Sequence, residues 1–331
     1  MSEPNFVLPP NRFRWLVSKN PAGTGRLDAL LRKQFPGLSR RNLQELFSNH
    51  CVLLNDRPAA KGDRVSPGDA LEVTLPGPLN PFPIPESAPP LKIYYQDSSL
   101  LILEKPGRLP VHPLNPFEKG TLANVLVSQW PQVIGTGNKP LEPGLVHRLD
   151  TGTSGLMAIA LTQPAWIRLK KDLSAGNWRK TYLALAEGII REPILLNHSL
   201  SHDPKNKRKM KVIQSEQEPH RGRILTAETR IKPLKTYQAH TLVEAHLITG
   251  VTHQIRVHLA FQSHPIAGDS LYGSTSGISL GLPEDRLFLH AGDLSLPHPI
   301  SRKLITCSLP LPEDLEKALL TLEKESFSKK R

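Results

Sequence analysis

The chain has 331 residues, 38% of them hydrophobic, which is enough for a substantial core and more than one small domain needs. Its net charge of +12 attracts polyanions, nucleic acid before membrane, and no run approaches the roughly 18 apolar residues of a membrane span. Cys51 and Cys307 are too few for a disulfide framework or a cysteine-built zinc site, and the start "MSEPNFVLPP" lacks the apolar core of a secretory signal, so the expectation is a cytoplasmic protein.

In chain order, residues 1–24 read as an N-terminal extension and 25–75 as a small α/β unit. "GRLDALLRKQF" puts Leu27, Leu30 and Leu31 on one face of a short helix. "LSRRNLQELF" starts a second, with Ser39 as its cap and Leu43, Leu46 and Phe47 as its apolar face. "CVLLNDRPAA" predicts a strand and a turn at Asn55-Asp56, and "RVSPGDALEVTL" another strand. Arg40 and Arg41 fall in the first turn of the second helix, where cations oppose the helix dipole. An RNA phosphate would offset that cost, and a solvated basic turn is the alternative. "GRLDALL", "LSRRNLQEL", "VLLND" and "VSPGDALEV" together resemble the alpha-L RNA-binding domain, with His50 and Asp56 standing where that family usually has glycine.

Residues 76–90, "PGPLNPFPIPESAPP", hold seven prolines in fifteen residues and read as an extended, semi-rigid linker. Beyond it, 91–312 predicts an α+β domain around a large mixed or antiparallel sheet. Strands are expected over 91–95 and 99–103, at "GLMAIAL", "KTYLALAEG" and "QAHTLVEAHLITG"; helices at "AWIRLKKDLSAG", closed by Gly176, and "HQIRVHLAFQS". The stretch 203–223 carries Lys205, Lys207, Arg208, Lys209, Lys211, Arg221 and Arg223 and reads as a phosphate-binding loop, against the plainer reading of a solvated one. Residues 313–331 form a C-terminal helix with a basic tail.

The chemistry concentrates at "GLVHRLDTGTSGL", residues 144–156, where Asp150 follows Arg148 and precedes small and hydroxylic residues. "HRLD" is not a kinase catalytic loop, because neither the downstream Asn nor a Gly-rich phosphate loop is present; the chain also lacks G-x-S-x-G. His253, His258 and His264 are not spaced to share a helical face, so no metal site is expected. A lone carboxylate with cationic company suits a nucleophile or base. Taken singly, Asp150 reads equally as a strand-end cap, Arg256 as a structural ion pair and Tyr182 as a core aromatic.

Together, "HRLDTGTSGLMAIA", "RKTYLALAEG", "LITGVTHQIRVHLAFQSHPIAGDSLYG" and "LFLHAGDLSLPHP" resemble, in order, the motifs of pseudouridine synthases of the RluA branch. Gly152, Val251 and Glu104 depart from that pattern, Val251 standing where arginine is usual. The resemblance implies that Asp150 is the nucleophile that breaks the uridine glycosidic bond; it leaves open attack at C1′, attack at C6, or first action as a base at C2′. It implies that Arg256 pairs with Asp150, Tyr182 stacks on the uracil and is a candidate base for the C5 proton, and Leu289 walls the pocket. Arg148 would fill the gap left by the flipped nucleotide, and the small residues from Thr151 to Gly155 would admit RNA backbone. No cofactor is implied. The implied partner is structured RNA, ribosomal before transfer RNA, with no membrane and a monomer as the default. The alternatives are a non-catalytic RNA-binding or ribosome-assembly protein and a nuclease or glycosidase, the last requiring metal ligands or a second acid.

Overall fold

The computed structural model describes residues 11–17, 25–35, 40–75, 82–215 and 217–328. They fall into two units, Met1–Pro83 with Leu114–Glu118, and Ile84–Pro113 with Lys119–Arg331.

The first unit contains β1 (Asn11–Leu16), α1 (Leu27–Gln34), α2 (Arg40–Ser48), β2 (Val52–Leu54), β3 (Arg57–Pro58) and β4 (Ala70–Leu75). Leu27 and Leu31 of α1, one turn apart, meet Leu43, Leu46 and Phe47 of α2 and Leu71 and Val73 of β4 in one core. Asp28 is buried in α1, which pushes its carboxyl up, but hydrogen bonds from Arg26 and Arg32 at 3.0 and 2.8 Å outweigh burial and hold it below the usual range. Asn55 and Asp56 turn the β2–β3 hairpin with φ of 51° and 62°, and His50 ends α2 at φ 54°.

The expected boundary at residue 25 is corrected by β1. It pairs antiparallel with β4 from Asn11↔Leu75 to Leu16↔Ala70, giving the order β1-β4-β2-β3. "NRFRWL" alternates Arg12 and Arg14 with Phe13 and Trp15, which pack on the core, a period of two that flanking prolines obscure in the sequence. The proposed cap Ser39 lies outside the described residues.

The second unit runs β5 (Ile93–Gln96), β6 (Leu100–Lys105), α3 (Leu122–Gln129), β7 (Ser154–Ala160), α4 (Gln163–Ser174), β8 (Arg179–Glu187) and β9 (Ile194–Leu196). It continues through β10 (Ser199–His202), β11 (Met210–Ile213), β12 (Arg221–Leu225), β13 (Thr229–Thr236), β14 (His240–Leu247), α5 (Gln254–Phe261), β15 (Leu289–Pro297), β16 (Leu304–Ser308) and α6 (Glu313–Ser328). Among the described residues a nine-stranded sheet has the order β5-β6-β7-β15-β8-β14-β13-β9, with β16 also on β15. It is mixed: β7 and β15 run parallel, His290 opposite Ser154, while the other pairs are antiparallel.

The central strands are buried on both faces, hence their continuous apolar runs. Leu101, Leu103, Met157 and Ile159 point into a core shared with α3, α5 and α6, whereas Leu100, Ile102, Leu156, Ala158 and Ala160 point into a second core under α4. Each such leucine or isoleucine contributes about 1.5–3 kcal/mol. Gly176 follows α4 at φ +74°, as a helix-terminating glycine does.

Two further expectations change. Residues 76–81 lie outside the described residues, and residues 84–90 are laid along α3 rather than standing free as a spacer. Asn124 donates to the Ile84 carbonyl at 2.9 Å and Gln129 to those of Ala88 and Pro89, each at 3.4 Å. A proline-rich chain pairs few carbonyls internally, so side-chain amides take them. The 203–223 stretch is not one loop: β11, β10 and β12 form a three-stranded sheet whose Leu200, Met210 and Val212 pack on Val257 of α5. Alternation in "MKVI" was hidden by the lysines before it. The basic turn between β10 and β11 remains, capped by Asp203, whose carboxylate accepts from the backbone N–H of Lys205 and Asn206 at 2.7 and 2.9 Å.

Candidate active site

Asp150 sits in the loop that leads into β7, and buried side chains fix that loop from several sides. Helix α4 holds its start: Trp166 donates to the Leu145 carbonyl and Lys170 to that of Val146, each at 3.0 Å. His147 accepts the Ala158 N–H at 2.9 Å; burial pushes its pKa down to about 3, so the imidazole serves as a neutral acceptor. Lys105, fully buried, donates to the carbonyls of Pro106, Leu109 and Thr151. Arg286 donates to the Gly152 carbonyl at 2.7 Å and the Ser154 hydroxyl at 2.8 Å, while its Nε reaches Asp314 on α6 at 2.6 Å. The backbone of Asp150 is thereby fixed, and its side chain, 16% exposed, is left to a cavity of about 650 Å³.

Two of the small residues after Asp150, Gly152 and Gly155, have a cause inside the fold. A Cβ on Gly152 would stand 2.3 Å from the Asp285 carbonyl oxygen, and one on Gly155, at φ +130°, 2.4 Å from that of Ala291 on β15. The motif is small because β15 and the loop before it press on it.

Arg256 of α5 carries the carboxylate's partner charge. Its Nε and Nη2 grip Asp269 at 2.6 and 2.8 Å, and this two-point hold leaves Nη1 to meet Asp150 at 3.0 Å. Burial would pull the guanidinium down; Asp269 and Asp150 more than reverse that. His253, which precedes α5 at φ 55°, places Nε2 3.8 Å from the other Asp150 oxygen. Its Nδ1 lies 2.9 Å from the Tyr272 hydroxyl, which accepts the Met210 N–H at 2.8 Å. Tyr182 on β8 and Leu289 on β15 complete the walls, 6% and 4% exposed. Burial first, and the Asp150 charge second, push the Tyr182 hydroxyl up, so it is a phenol at neutral pH.

The family profile described as RNA pseudouridylate synthase matches residues 99–261. The ribosomal large subunit pseudouridine synthase D of Neisseria meningitidis serogroup A is 36% identical over 96% of this chain and 83% of its own length. The protein of the same name from Xanthomonas campestris pv. campestris is 32% identical over 98% of this chain and 97% of its own. The chain belongs to the RNA pseudouridine synthase family, in its RluA branch. Among solved structures, human RNA pseudouridylate synthase domain containing 1 matches with a TM-score of 0.56 at 26% identity, over 71% of this chain and 89% of that one.

In this pseudouridine synthase the fold brings Asp150, Tyr182, Arg256, Leu289 and Arg148 to one cavity, Arg148 as an exposed residue of its lining. Lys205, Lys207 and Arg208 are exposed on the β10–β11 turn. Lys209 lies 5.8 Å over the Tyr272 ring, next to the Met210 that bonds the same tyrosine, so the basic turn abuts the site. Arg40 is exposed on α2 in the other unit; the side chain of Arg41 lies outside the described residues. Val251 lines the cavity and packs against the core below α5, and Glu104 faces Lys92, just before β5, at 3.7 Å.

Sequence reasoning passes over Asp269, Tyr272, Lys105 and Arg286, and reads His253 as an ordinary hydrogen-bonded or surface histidine rather than a metal ligand. Asp269 and Tyr272 stand inside a quoted motif, and the signal for Asp269 was a carboxylate directly after the apolar "PIAG". His258 and His264 are held by ordinary hydrogen bonds, to Thr229 at 2.9 Å and to the Glu187 carbonyl at 2.8 Å.

Proposed function

We propose that this enzyme isomerises specific uridines of large-subunit ribosomal RNA to pseudouridine, with Asp150 as nucleophile acting on a uridine flipped into the cavity. The observation that carries this reading is a lone carboxylate at the cavity wall, held by Arg256 and facing a cleft walled by Tyr182 and Leu289. In the reaction the N1–C1′ bond breaks, the base turns, C5 bonds to C1′, and the C5 proton is lost while N1 gains one, so every atom is conserved. Arg256, anchored by Asp269, orients the carboxylate that handles the glycosidic carbon or the base. Tyr182 stacks on the uracil; its protonated state supports stacking over action as a phenolate base.

Asp150 is set back in a cavity of about 650 Å³ that a base still in its stack would not reach, which supports flipping, with Arg148 at the rim taking the vacated place. The names of the bacterial relatives support a large-subunit ribosomal target. The exposed cations of the β10–β11 turn and Arg40 suit phosphate contacts. A purely RNA-binding role gives no reason to keep a carboxylate facing an anionic ligand.

The test is pseudouridine mapping of total RNA from cells with and without the chain, complemented by wild type or by Asp150→Asn. A large-subunit site lost on deletion and restored by wild type alone is the expected result, and the purified Asp150→Asn protein should keep its RNA affinity while losing turnover. Restoration by the Asn variant would remove Asp150 from the nucleophile's role, and a lost transfer RNA site would reassign the substrate.

A further inference from the structure

Two residues before Tyr182 on β8, and so on the same face of the strand, stands Lys180. It lines the cavity of Asp150 and is 9% exposed, and among the described residues no carboxylate or acceptor meets its ammonium. The nitrogen is not sealed in the protein: the stem is buried and the charged end opens on the cavity. Gly250 stands across from it, and a Cβ there would lie 3.3 Å from Nζ, close enough to crowd the ammonium. Burial alone pulls its pKa down to about 8, with no opposing charge raising it. Lys170, the other cation felt by His147 on this side, is already spent on the Val146 carbonyl. Lys180 is not.

A buried charge without a partner is expensive, and a fold that keeps one at a cavity wall keeps it for a ligand. The ligand's sign follows from the rest of the site. The cluster of Arg256, Asp150 and Asp269 is one positive charge short, and Arg148 at the exposed rim of the cavity at most balances it. A nucleotide brought to Asp150 carries its own phosphates into that field, and the cavity wall must supply a cation for at least one of them.

We propose that Lys180 is a phosphate-binding residue: its ammonium takes a backbone phosphate adjoining the flipped nucleotide, and Gly250 leaves the room in which that contact forms. This rests on the reading of the cavity as the nucleotide site. It also gives Lys180 a different task from the exposed basic turn, which gathers RNA generally, because only a strand already entering the cavity reaches it.

The experiment measures binding without turnover. Asp150→Asn protein, alone and combined with Lys180→Met or Lys180→Arg, is titrated with an in-vitro transcript of large-subunit ribosomal RNA at several salt concentrations. Loss of one phosphate contact should lower the slope of log affinity against log salt by about 0.7–0.9 in the Met variant, and Arg should restore it. An unchanged slope with intact binding overturns the phosphate assignment and leaves the reaction untouched. Absence of transcript binding in every protein overturns the nucleotide reading of the cavity, and this proposal with it. Thermal melting guards against a folding artefact: exchanging an unpaired buried charge for Met should hold or raise the melting temperature. A fall in melting temperature would make Lys180 a structural residue and overturn the proposal.

Discussion

Tyr272 is a single hydroxyl between two partners, and its chemistry settles the state of His253. It accepts the Met210 N–H at 2.8 Å, so the arrangement that satisfies every group has its own proton on His253 Nδ1 at 2.9 Å. The imidazole then carries its hydrogen on Nε2, towards Asp150. Burial first pulls His253 below its ordinary pKa; Asp150 and Asp269 push it up, and Arg256 and Arg148 push it down. Tyr272 itself is pushed up to about 12, chiefly by burial, and stays a donor. In Tyr272→Phe the bond that favours the neutral imidazole at Nδ1 is gone, so protonation of His253 beside Asp150 becomes easier while burial still opposes it. The expected outcome is a kcat profile whose acidic limb begins at higher pH in the variant than in wild type. Parallel profiles would show that Tyr272 acts through packing alone. The sequence carried Asp150, Tyr182 and Arg256 because each stands at a fixed place in a motif. It did not carry the Tyr272–His253 link, because a hydrogen bond between a turn and a helix start leaves no periodic trace.

The end of helix α2 offers a test among the elements. His50 takes φ 54° where the chain turns out of the helix, with the Cys51 N–H returning to the Leu46 carbonyl at 2.9 Å. A β-carbon in that conformation costs about 1–2 kcal/mol that glycine does not incur. His50→Gly should therefore stabilise the first unit by about 1 kcal/mol, read as a rise in melting temperature; a fall would mean that the imidazole makes a contact worth more than the strain. Strands β6, β7, β8 and β14 were legible from alternation or a continuous apolar run, and α4 and α5 from their spacing. Strand β1 was passed over among prolines, and β11 and β12 among lysines and arginines. In each case composition spoke louder than a period of two over only four to six residues.

Across the whole molecule the net charge of +12 makes salt the natural probe. Removing residues 1–75 should weaken RNA affinity and flatten its salt dependence, with kcat at saturating RNA little changed, since the cavity and its charges lie within the second unit. Superimposable binding curves across salt would deny the first unit an RNA role. The two-unit division was legible from the proline-rich stretch, but not the point at which the second unit begins, because residues 84–90 are bound to α3 by backbone carbonyls that carry no sequence signal.

The strand order also sets a timetable. Strand β15 lies between β7 and β8, although it is made long after both, and Arg286 and Asp314, which lock the loop of Asp150 to α6, come later than β8 as well. A chain emerging from a ribosome at roughly 5–20 residues per second holds two apolar strands without their central neighbour for on the order of 10 s. Throughout that interval the nascent protein has Asp150, Tyr182 and, towards the end, Arg256, yet no closed sheet to hold them. The loop of Asp150 is thus locked only once α6 has been made, and a chain stopped short of residue 314 would carry Asp150, Tyr182 and Arg256 beside an Arg286 left buried without its carboxylate.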